Sequence, residues 1–249
     1  MKNNNNRSYS EIRTGVIGVG SMGKNHARVY SQISNLVAIA DPDKVNGPRI
    51  AKEYGAVWYE DYNDMLDKVD AVTIAVPTAL HRKVAESVAS KRVHILVEKP
   101  LAGTVEDSKA IIAIADKMDV TLAVGHIERH NPVIRFAKKA IKDKLWGDVI
   151  TMSAKRVSSF PERIKDVGVI FDLSIHDIDI LLYLSEANAE TVYASGGSYK
   201  SKNFEDHISF IINFDKNIQG ICETSWLTPM KVRKLALTCS THYVELDYV

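Results

Sequence analysis

The sequence predicts an α/β protein, in which a doubly wound parallel sheet is followed by an α+β domain with a mainly antiparallel sheet. Up to Gly125, short apolar runs alternate with amphipathic segments, as in parallel strands joined by crossover helices. After Gly125, strand-like runs follow one another through short turns, as in an antiparallel sheet. The 249 residues are long enough for two such domains, each with its own core.

The elements of the first half are predicted from these alternating runs. Strands are expected over Arg13–Gly18, Leu36–Ala40, Ala56–Trp58, Ala71–Val76, His94–Val97 and Thr121–Gly125. Helices are expected over Ser21–Ser31, Pro48–Tyr54, Asn63–Leu66, Lys83–Ser90 and Glu106–Lys117. Residues 1–12 are polar and lack the apolar stretch of a signal peptide, so they are predicted to be a disordered tail before a domain at 13–125.

The second predicted domain, residues 126–249, contains two helices and six strands. The helices are expected over Pro132–Asp143 and Val169–Ser185. The strands are expected over Val149–Val157, Thr191–Tyr199, His207–Phe214, Ile218–Ser225, Lys234–Thr238 and Tyr243–Tyr248. Asp215–Asn217 is typical of a hairpin turn between two of them.

The composition limits the classes of partner. The 32 basic and 31 acidic side chains give a net charge of +1, which provides no argument for binding nucleic acid or an anionic membrane. No apolar run is long enough to cross a bilayer. Cys222 and Cys239 are too few for a disulfide framework, so buried free thiols and a cytoplasmic location are predicted.

A glycine-rich turn follows the first predicted strand. Gly18, Gly20 and Gly23 form G-x-G-x-x-G at the start of a helix. The first glycine permits a tight turn, the second lets a pyrophosphate approach the backbone, and the third allows close packing of helix and strand. The pattern predicts a Rossmann-type dinucleotide site in which this turn, including Ser21 and Met22, holds the phosphates.

Asp41 ends the second predicted strand, where a carboxylate can accept hydrogen bonds from the adenosine ribose. It would also repel a 2′-phosphate, so the cofactor predicted is NAD rather than NADP. The alternative is that Asp41 only forms a turn before Pro42.

Other candidates follow the strands Ala71–Val76 and His94–Val97, at the sheet edge where α/β proteins bind ligands. These residues are Pro77, Thr78, His81, Glu98 and Lys99. Thr78 could instead cap a helix, and His81 could be a surface histidine. Lys99 could act as a desolvated base, hold a substrate oxygen by its charge, or be a surface lysine.

Further candidates lie beyond Gly125. Asp172 and His176 are four residues apart in an apolar helix, with Asp179 one turn further, so they are predicted to share a face and could form a proton-transfer pair. The alternative is the solvated stripe of an amphipathic helix. Arg129 could pair with a substrate phosphate or carboxylate. No metal site is predicted from His126, Glu128 and His130, because H-E-x-x-H is absent.

Taken together, these motifs resemble the Gfo/Idh/MocA oxidoreductase family. The resemblance rests on GVIGVGSMG, AD at 40–41, VPT at 76–78, EKPL at 98–101 and DLSIHDID at 172–179. GHIERHNP and SWLTPMKVRKLALT are most similar to the family's UDP-sugar dehydrogenases. This similarity implies NAD-dependent oxidation of a ring hydroxyl of a nucleotide sugar, with C3 of UDP-N-acetylglucosamine as the expected position.

The resemblance also implies roles for individual residues. Lys99 would contact the substrate hydroxyl and the cofactor, Asp172 and His176 would face the substrate with His176 as base or acid, and Arg129 and Asn131 would lie near the sugar nucleotide. The implied second domain has an open-faced sheet that supports a homo-oligomer, a dimer or tetramer. The chain ends inside a predicted strand, so this domain is expected to be truncated relative to the family. An inositol or free-sugar dehydrogenase and a non-catalytic NAD-binding module remain as alternatives.

Overall fold

The computed structural model describes residues 8–161 and 167–248, and they form two compact units. The first unit ends at Gly125, and the second begins at His126. No helix in the described ranges is long and apolar enough to cross a membrane.

The first unit is a six-stranded parallel sheet with helical crossovers. Its strands are β1 (Arg13–Ile17), β2 (Asn35–Ala40), β3 (Val57–Tyr59), β4 (Ala71–Ile74), β5 (His94–Val97) and β6 (Leu122–Val124). Its helices are α1 (Gly23–Ile33), α2 (Asn46–Tyr54), α3 (His81–Ser90) and α4 (Val105–Met118), with 3-10 turns at Tyr62–Lys68 and Thr78–Leu80. The strand order β3-β2-β1-β4-β5-β6 is the Rossmann order. The predicted fold class is confirmed for this unit.

The strands of the first unit are apolar because they lie in its core. Val16, Ile39, Ile74 and Val97 are inaccessible to solvent, because helices cover both faces of the sheet. At the N-terminus, residues 1–7 of the predicted tail lie outside the described residues. The end of that tail is ordered, in contrast with the prediction: Tyr9–Glu11 form a 3-10 turn, and the Ser8 N–H donates to the Glu11 carboxylate at 2.9 Å.

The second unit is a six-stranded mixed sheet with helices packed against one face. Its strands are β7 (Val149–Val157), β8 (Ala189–Gly197), β9 (His207–Phe214), β10 (Gln219–Ser225), β11 (Val232–Cys239) and β12 (Tyr243–Asp247). The helices are α5 (Pro132–Lys142) and α6 (Ile175–Ser185), and a π-helical turn over Ile170–Ser174 leads into α6. The strand order is β12-β11-β7-β10-β9-β8, and the predicted fold class is again confirmed.

One pair of strands departs from the antiparallel pattern. β7 and β10 run parallel, whereas the other neighbours in this sheet are antiparallel. The chain between β7 and β8 passes through α6, and a long helical connection of this kind lets strands on either side of it run in the same direction.

The two faces of the second sheet differ in exposure. On the inner face, Met152, Cys222 and Leu235 pack with the apolar side chains of α6, and both cysteines are buried free thiols, as predicted. The outer face carries a row across neighbouring strands, which consists of Ala236, Ser153, Ile221, Ile211 and Tyr193. Tyr193 is 75% exposed and Ile221 is 37% exposed, so apolar side chains of this row remain accessible.

Candidate functional site

The glycine turn after β1 has the geometry that a phosphate-binding loop needs. Gly18 has a φ of +85°, which side chains rarely tolerate, and a Cβ there would lie 2.9 Å from the Ala75 carbonyl oxygen. A Cβ on Gly23 would lie 1.8 Å from the Gly18 carbonyl oxygen, so α1 can begin here only with glycine. A Cβ on Gly20 would meet no atom of the described residues within 4 Å. The turn therefore leaves open space beside the start of α1, where the first N–H groups of a helix lack helical partners.

Asp41 closes this turn from the end of β2. One carboxylate oxygen accepts a hydrogen bond from the Val19 N–H at 2.7 Å, and the other accepts from the Asp43 N–H at 2.8 Å. The Asp41 carbonyl oxygen accepts from the Trp58 indole at 3.1 Å. The carboxylate is therefore fixed beside the glycine turn, and it also forms the local turn that was its alternative role.

A cavity of about 600 Å³ opens between the glycine turn and the end of β2. It is lined by Gly18, Asp41, Pro42, Tyr62 and Val76, and its lining includes four carboxylates, those of Asp41, Glu60, Asp61 and Asp64. An apolar floor with an acidic rim fits an adenosine whose ribose hydroxyls donate hydrogen bonds. The same rim disfavours a 2′-phosphate, because like charges at short range repel. The residues present fit NAD.

Glu98, which follows β5, is held by a residue of α1. His26 Nε2 lies 2.7 Å from Glu98 Oε1, and the other carboxylate oxygen accepts from the Lys99 N–H at 3.2 Å. Burial acts to raise the pKa of Glu98, but the hydrogen bond and charge of His26 outweigh it and lower that pKa below its usual range. Glu98 is therefore a half-buried anion that fixes the backbone at Lys99, which is also half-buried.

His81 is buried, in contrast with the surface alternative. Its Nδ1 lies 2.9 Å from the Pro100 carbonyl oxygen, and its Nε2 lies 3.0 Å from the Val76 carbonyl oxygen. The ring has no nitrogen left for a cofactor, in contrast with the prediction. It instead holds together the segments that follow β4 and β5. Pro77 and Thr78 lie in the first of these segments, and Thr78 begins a 3-10 turn.

In the second unit, Asp172 and His176 lie on different kinds of helix. Asp172 is within the π-helical turn, and His176 is in the first turn of α6. Both are half-buried. The α-helical spacing from which a shared face was predicted therefore does not apply at Asp172. π-helical turns are frequent at functional sites, which makes this segment notable.

Arg129 is bound by a carboxylate of its own unit. It lies in a 3-10 turn over Ile127–His130 and donates to the two oxygens of Asp179 at 2.8 and 2.5 Å. His126 Nδ1 lies 3.5 Å from the same carboxylate. The hydrogen bonds to Asp179 raise the pKa of Arg129 above its usual value. The guanidinium predicted to bind a substrate anion thus already has an anionic partner.

Asn131 caps a helix. Its side-chain oxygen accepts from the Val133 N–H at 3.1 Å at the start of α5, and Pro132 occupies the first helical position. Asn131 directly precedes α5, which explains its capping role. The sequence analysis predicted a substrate contact for Asn131 but not this cap.

A buried charge network lies between the 3-10 turn, β7 and α6. Arg156 donates to Asp177 at 2.9 Å and to Glu128 at 2.9 Å, and Tyr248 donates to Asp177 at 2.9 Å. Arg233 reaches Glu128 at 3.4 Å. Burial opposes the charge on Arg156, but the attraction of Asp177 and Glu128 prevails and raises its pKa.

Sequence reasoning missed this network and the His26–Glu98 pair. A signal for Arg156 exists, since it follows Met152 and Ala154 at alternate positions of β7 and so points into the core. An inward-facing arginine requires a buried partner. Nothing in the sequence places His26 beside Glu98, because that contact joins residues 72 positions apart.

Comparisons with known proteins agree with this geometry. Residues 12–126 match the model of the oxidoreductase family with an NAD-binding Rossmann fold, and residues 134–245 match the Gfo/Idh/MocA C-terminal domain. The first unit is thus an NAD-binding Rossmann domain, and the predicted cofactor is confirmed.

Individual relatives point to sugar and inositol dehydrogenases. The chain is 37% identical over 185 residues to the UDP-N-acetylglucosamine 3-dehydrogenase of Acidithiobacillus ferrooxidans, covering 74% of this chain and 58% of that protein. A solved structure of the Acidithiobacillus enzyme has a TM-score of 0.90 at 31% identity, covering 96% of this chain and 77% of that one. The scyllo-inositol 2-dehydrogenase (NAD(+)) of Bacillus subtilis is 32% identical over 234 residues, covering 88% of this chain and 68% of that protein. The chain therefore spans between one half and two thirds of the length of the first of these relatives.

Both family models name the same family that the sequence motifs resemble. The chain belongs to the Gfo/Idh/MocA oxidoreductase family.

Proposed function

We propose that the protein is an NAD-dependent dehydrogenase that oxidises a ring hydroxyl of a nucleotide sugar to a ketone, with C3 of UDP-N-acetylglucosamine as the favoured position. The observation that carries the proposal is the 37% identity to the Acidithiobacillus UDP-N-acetylglucosamine 3-dehydrogenase. The acidic rim of the NAD cavity is consistent with it, because it suits a cofactor without a 2′-phosphate.

The roles proposed for the first unit follow from its strand ends. The turn from Gly18 to Gly23 binds the pyrophosphate and Asp41 the adenosine ribose, while Pro77 and Thr78 line the path of the cofactor. When bound, NAD supplies the hydride acceptor. Lys99, whose backbone is fixed by Glu98, holds the oxygen of the substrate hydroxyl through its ammonium group.

The roles proposed for the second unit concern the proton. Oxidation of an alcohol releases a hydride from carbon and a proton from oxygen, and the imidazole of His176 accepts that proton. Asp172 supports the imidazole electrostatically. Arg129 binds the substrate through N–H groups that Asp179 does not use, and Asn131, which directly precedes α5, lies near the sugar nucleotide.

The proposal is tested by turnover. The purified chain with NAD and UDP-N-acetylglucosamine is expected to produce reduced nicotinamide, followed by its absorbance, with an electron acceptor added to recycle the cofactor. Lys99→Ala and His176→Ala should each abolish most of the rate, whereas Lys117→Ala on the exposed face of α4 should leave it unchanged. Full activity in both variants would refute the assigned roles.

A second candidate, an inositol dehydrogenase, is favoured by the similarity to the Bacillus scyllo-inositol enzyme, which extends over more of this chain. An arginine for substrate binding argues against this candidate, because a neutral polyol has little use for a guanidinium. The pairing of Arg129 with Asp179 weakens that argument, since the guanidinium is balanced without a substrate anion. The two candidate functions are distinguished by the rates with scyllo-inositol, myo-inositol, N-acetylglucosamine and UDP-N-acetylglucosamine at equal concentrations. A higher rate with an inositol would favour the inositol dehydrogenase.

We further propose that the exposed row of the second sheet supports a homo-oligomer. An accessible apolar row on a regular sheet is a surface that a second copy can cover. Sedimentation should give a dimer or tetramer, and Ile221→Lys should shift the protein towards the monomer. A monomeric wild-type protein at micromolar concentration would contradict this.

A further inference from the structure

The second unit contains a cavity of about 580 Å³ that no role has yet explained. It is formed by Phe160 beyond β7, the Tyr199–Lys200 segment after β8 and the segment Trp226–Pro229 after β10. The last of these belongs to the SWLTPMK motif that the sequence analysis singled out. The volume is within the range of small-molecule sites.

Among its described lining residues, the cavity is aromatic and carries one positive charge, that of Lys200. The rings of Phe160 and Trp226 meet edge to face at 5.8 Å, and Trp226 is only 3% exposed, so this wall is anchored in the core. Lys200 Nζ lies 5.0 Å from the centre of the Phe160 ring. Tyr199 is 86% exposed beside them. Such a surface suits a planar ring that carries a negative charge nearby, because rings stack on aromatic faces and an ammonium attracts anions.

The loop that presents Tyr199 and Lys200 is held in place by Asp206, which is inaccessible to solvent. Its carboxylate accepts hydrogen bonds from the N–H groups of Tyr199, Lys200 and Ser201 at 3.0, 2.6 and 2.9 Å. Burial acts to raise the pKa of Asp206, but these hydrogen bonds and the one from His207 lower it far below its usual range. Lys200 is thus carried on a fixed loop.

The same loop is bonded to the segment that carries Asp172 and His176. The Val169 N–H donates to the Glu205 carbonyl oxygen at 3.0 Å, and the Ile170 N–H donates to the Glu205 carboxylate at 3.1 Å. The Trp226 N–H donates to the Asp206 carbonyl oxygen at 2.9 Å. His176 follows Val169 by seven residues, which is roughly 10 Å of helix. The loop that lines the cavity is therefore connected by hydrogen bonds to the segment that leads to His176.

We propose that this cavity binds the pyrimidine base and diphosphate of the nucleotide sugar. The base stacks against Tyr199 and Phe160, and Lys200 turns from the Phe160 ring to the diphosphate. The inference rests on the proposed function and adds to it the site that selects a nucleotide over a free sugar. An uncharged polyol would gain little from this surface, because it has neither a planar ring nor an anion.

The test uses the full chain and measures the affinity for UDP by calorimetry, together with KM and kcat for UDP-N-acetylglucosamine. Tyr199→Ala and Lys200→Ala should each weaken UDP binding at least fivefold, about the effect of losing one stacking contact, and raise KM more than they lower kcat. The matched controls are Tyr9→Ala and Lys202→Ala, which should match the wild type. Lys200→Ala should affect UDP more than uridine.

The outcomes separate this inference from the proposed function. Turnover of UDP-N-acetylglucosamine with unchanged UDP affinity and KM in both variants overturns the inference alone. UDP binding that depends on Tyr199 without turnover supports the inference and refutes the proposed function. If Tyr199→Ala changes only the oligomeric state, the cavity is an interface between copies and the inference is wrong.

Discussion

The carboxylates around the first unit's cavity and the charged residues in the second unit's core are stabilised in opposite ways. In the first unit, Asp41 and the other carboxylates around the cavity are hydrogen-bonded locally or exposed to solvent. The glycine turn beside them depends on backbone geometry that only glycine allows. In the second, Arg156, Asp177 and Glu128 are buried together and join segments far apart in sequence. The difference indicates that the cavity beside the glycine turn depends on local hydrogen bonds and solvent exposure, whereas the charged groups of the second unit depend on its core.

The largest expected effect comes from breaking the buried network. Arg156→Met leaves Asp177 and Glu128 buried with reduced compensation, so the free energy of unfolding should fall by about 3–5 kcal/mol. The matched control is Lys155→Met on the neighbouring residue, whose ion pair with Glu223 is solvent-exposed and should contribute at most about 1 kcal/mol. Urea unfolding followed by circular dichroism measures both. Equal losses in the two variants would contradict the contrast.

If Arg156→Met does not fold, Tyr248→Phe tests the same network more gently. It removes the hydroxyl that donates to Asp177 and should cost about 1–3 kcal/mol.

The next largest effects concern two glycines of the turn, of which Gly23 is expected to serve packing and binding and Gly20 binding alone. Gly23→Ala should lower stability by about 1–3 kcal/mol, because its Cβ collides with the Gly18 carbonyl oxygen, and should weaken NAD binding strongly. Gly20→Ala has no such collision, so it should weaken NAD binding with little loss of stability. Thermal unfolding and NAD titration measure the two quantities. A Gly20 variant that loses stability but keeps its NAD affinity would reverse the proposed roles.

A smaller effect concerns the acidic rim. Asp41→Asn removes one charge beside the proposed position of the ribose. It should reduce the preference for NAD over NADP by about 5- to 10-fold, mainly by weakening NAD binding and relieving repulsion of the 2′-phosphate. Asp116→Asn on α4 is the control. The measurement is the dissociation constant of each cofactor for the variant and the wild type. An unchanged NAD/NADP ratio would mean that Asp41 only forms the local turn with Asp43.

The smallest effect is the pH dependence of the His26–Glu98 pair. The folded-state pKa of Glu98 is lowered, so its contribution to stability is present above its unfolded pKa, near 4.3, and is lost as pH falls through the folded value. Glu98→Gln should therefore be less stable than the wild type by about 1 kcal/mol at neutral pH, and the difference should shrink at pH about 3. A difference that grows on acidification would contradict the sign.

Prediction from the sequence succeeded where the signal was local. The glycine spacing, the apolar strands and Asp41 each depend on neighbouring residues, and the fold class and NAD followed from them. The parallel pair β7–β10, the π-helical turn at Asp172 and the partners of Arg129, His81 and Arg156 depend on contacts between distant segments. A single sequence contains the residues of these contacts but not their pairing.

The central claim, hydride transfer from a nucleotide sugar to NAD, is tested most directly by following the hydrogen. UDP-N-acetylglucosamine carrying deuterium at C3 is incubated with the protein and NAD, and the reduced cofactor is analysed by mass spectrometry. We expect one deuterium in the reduced nicotinamide and a 3-keto sugar nucleotide as the product. Reduced cofactor without deuterium, or no reduction with this substrate while an inositol is oxidised, would contradict the claim.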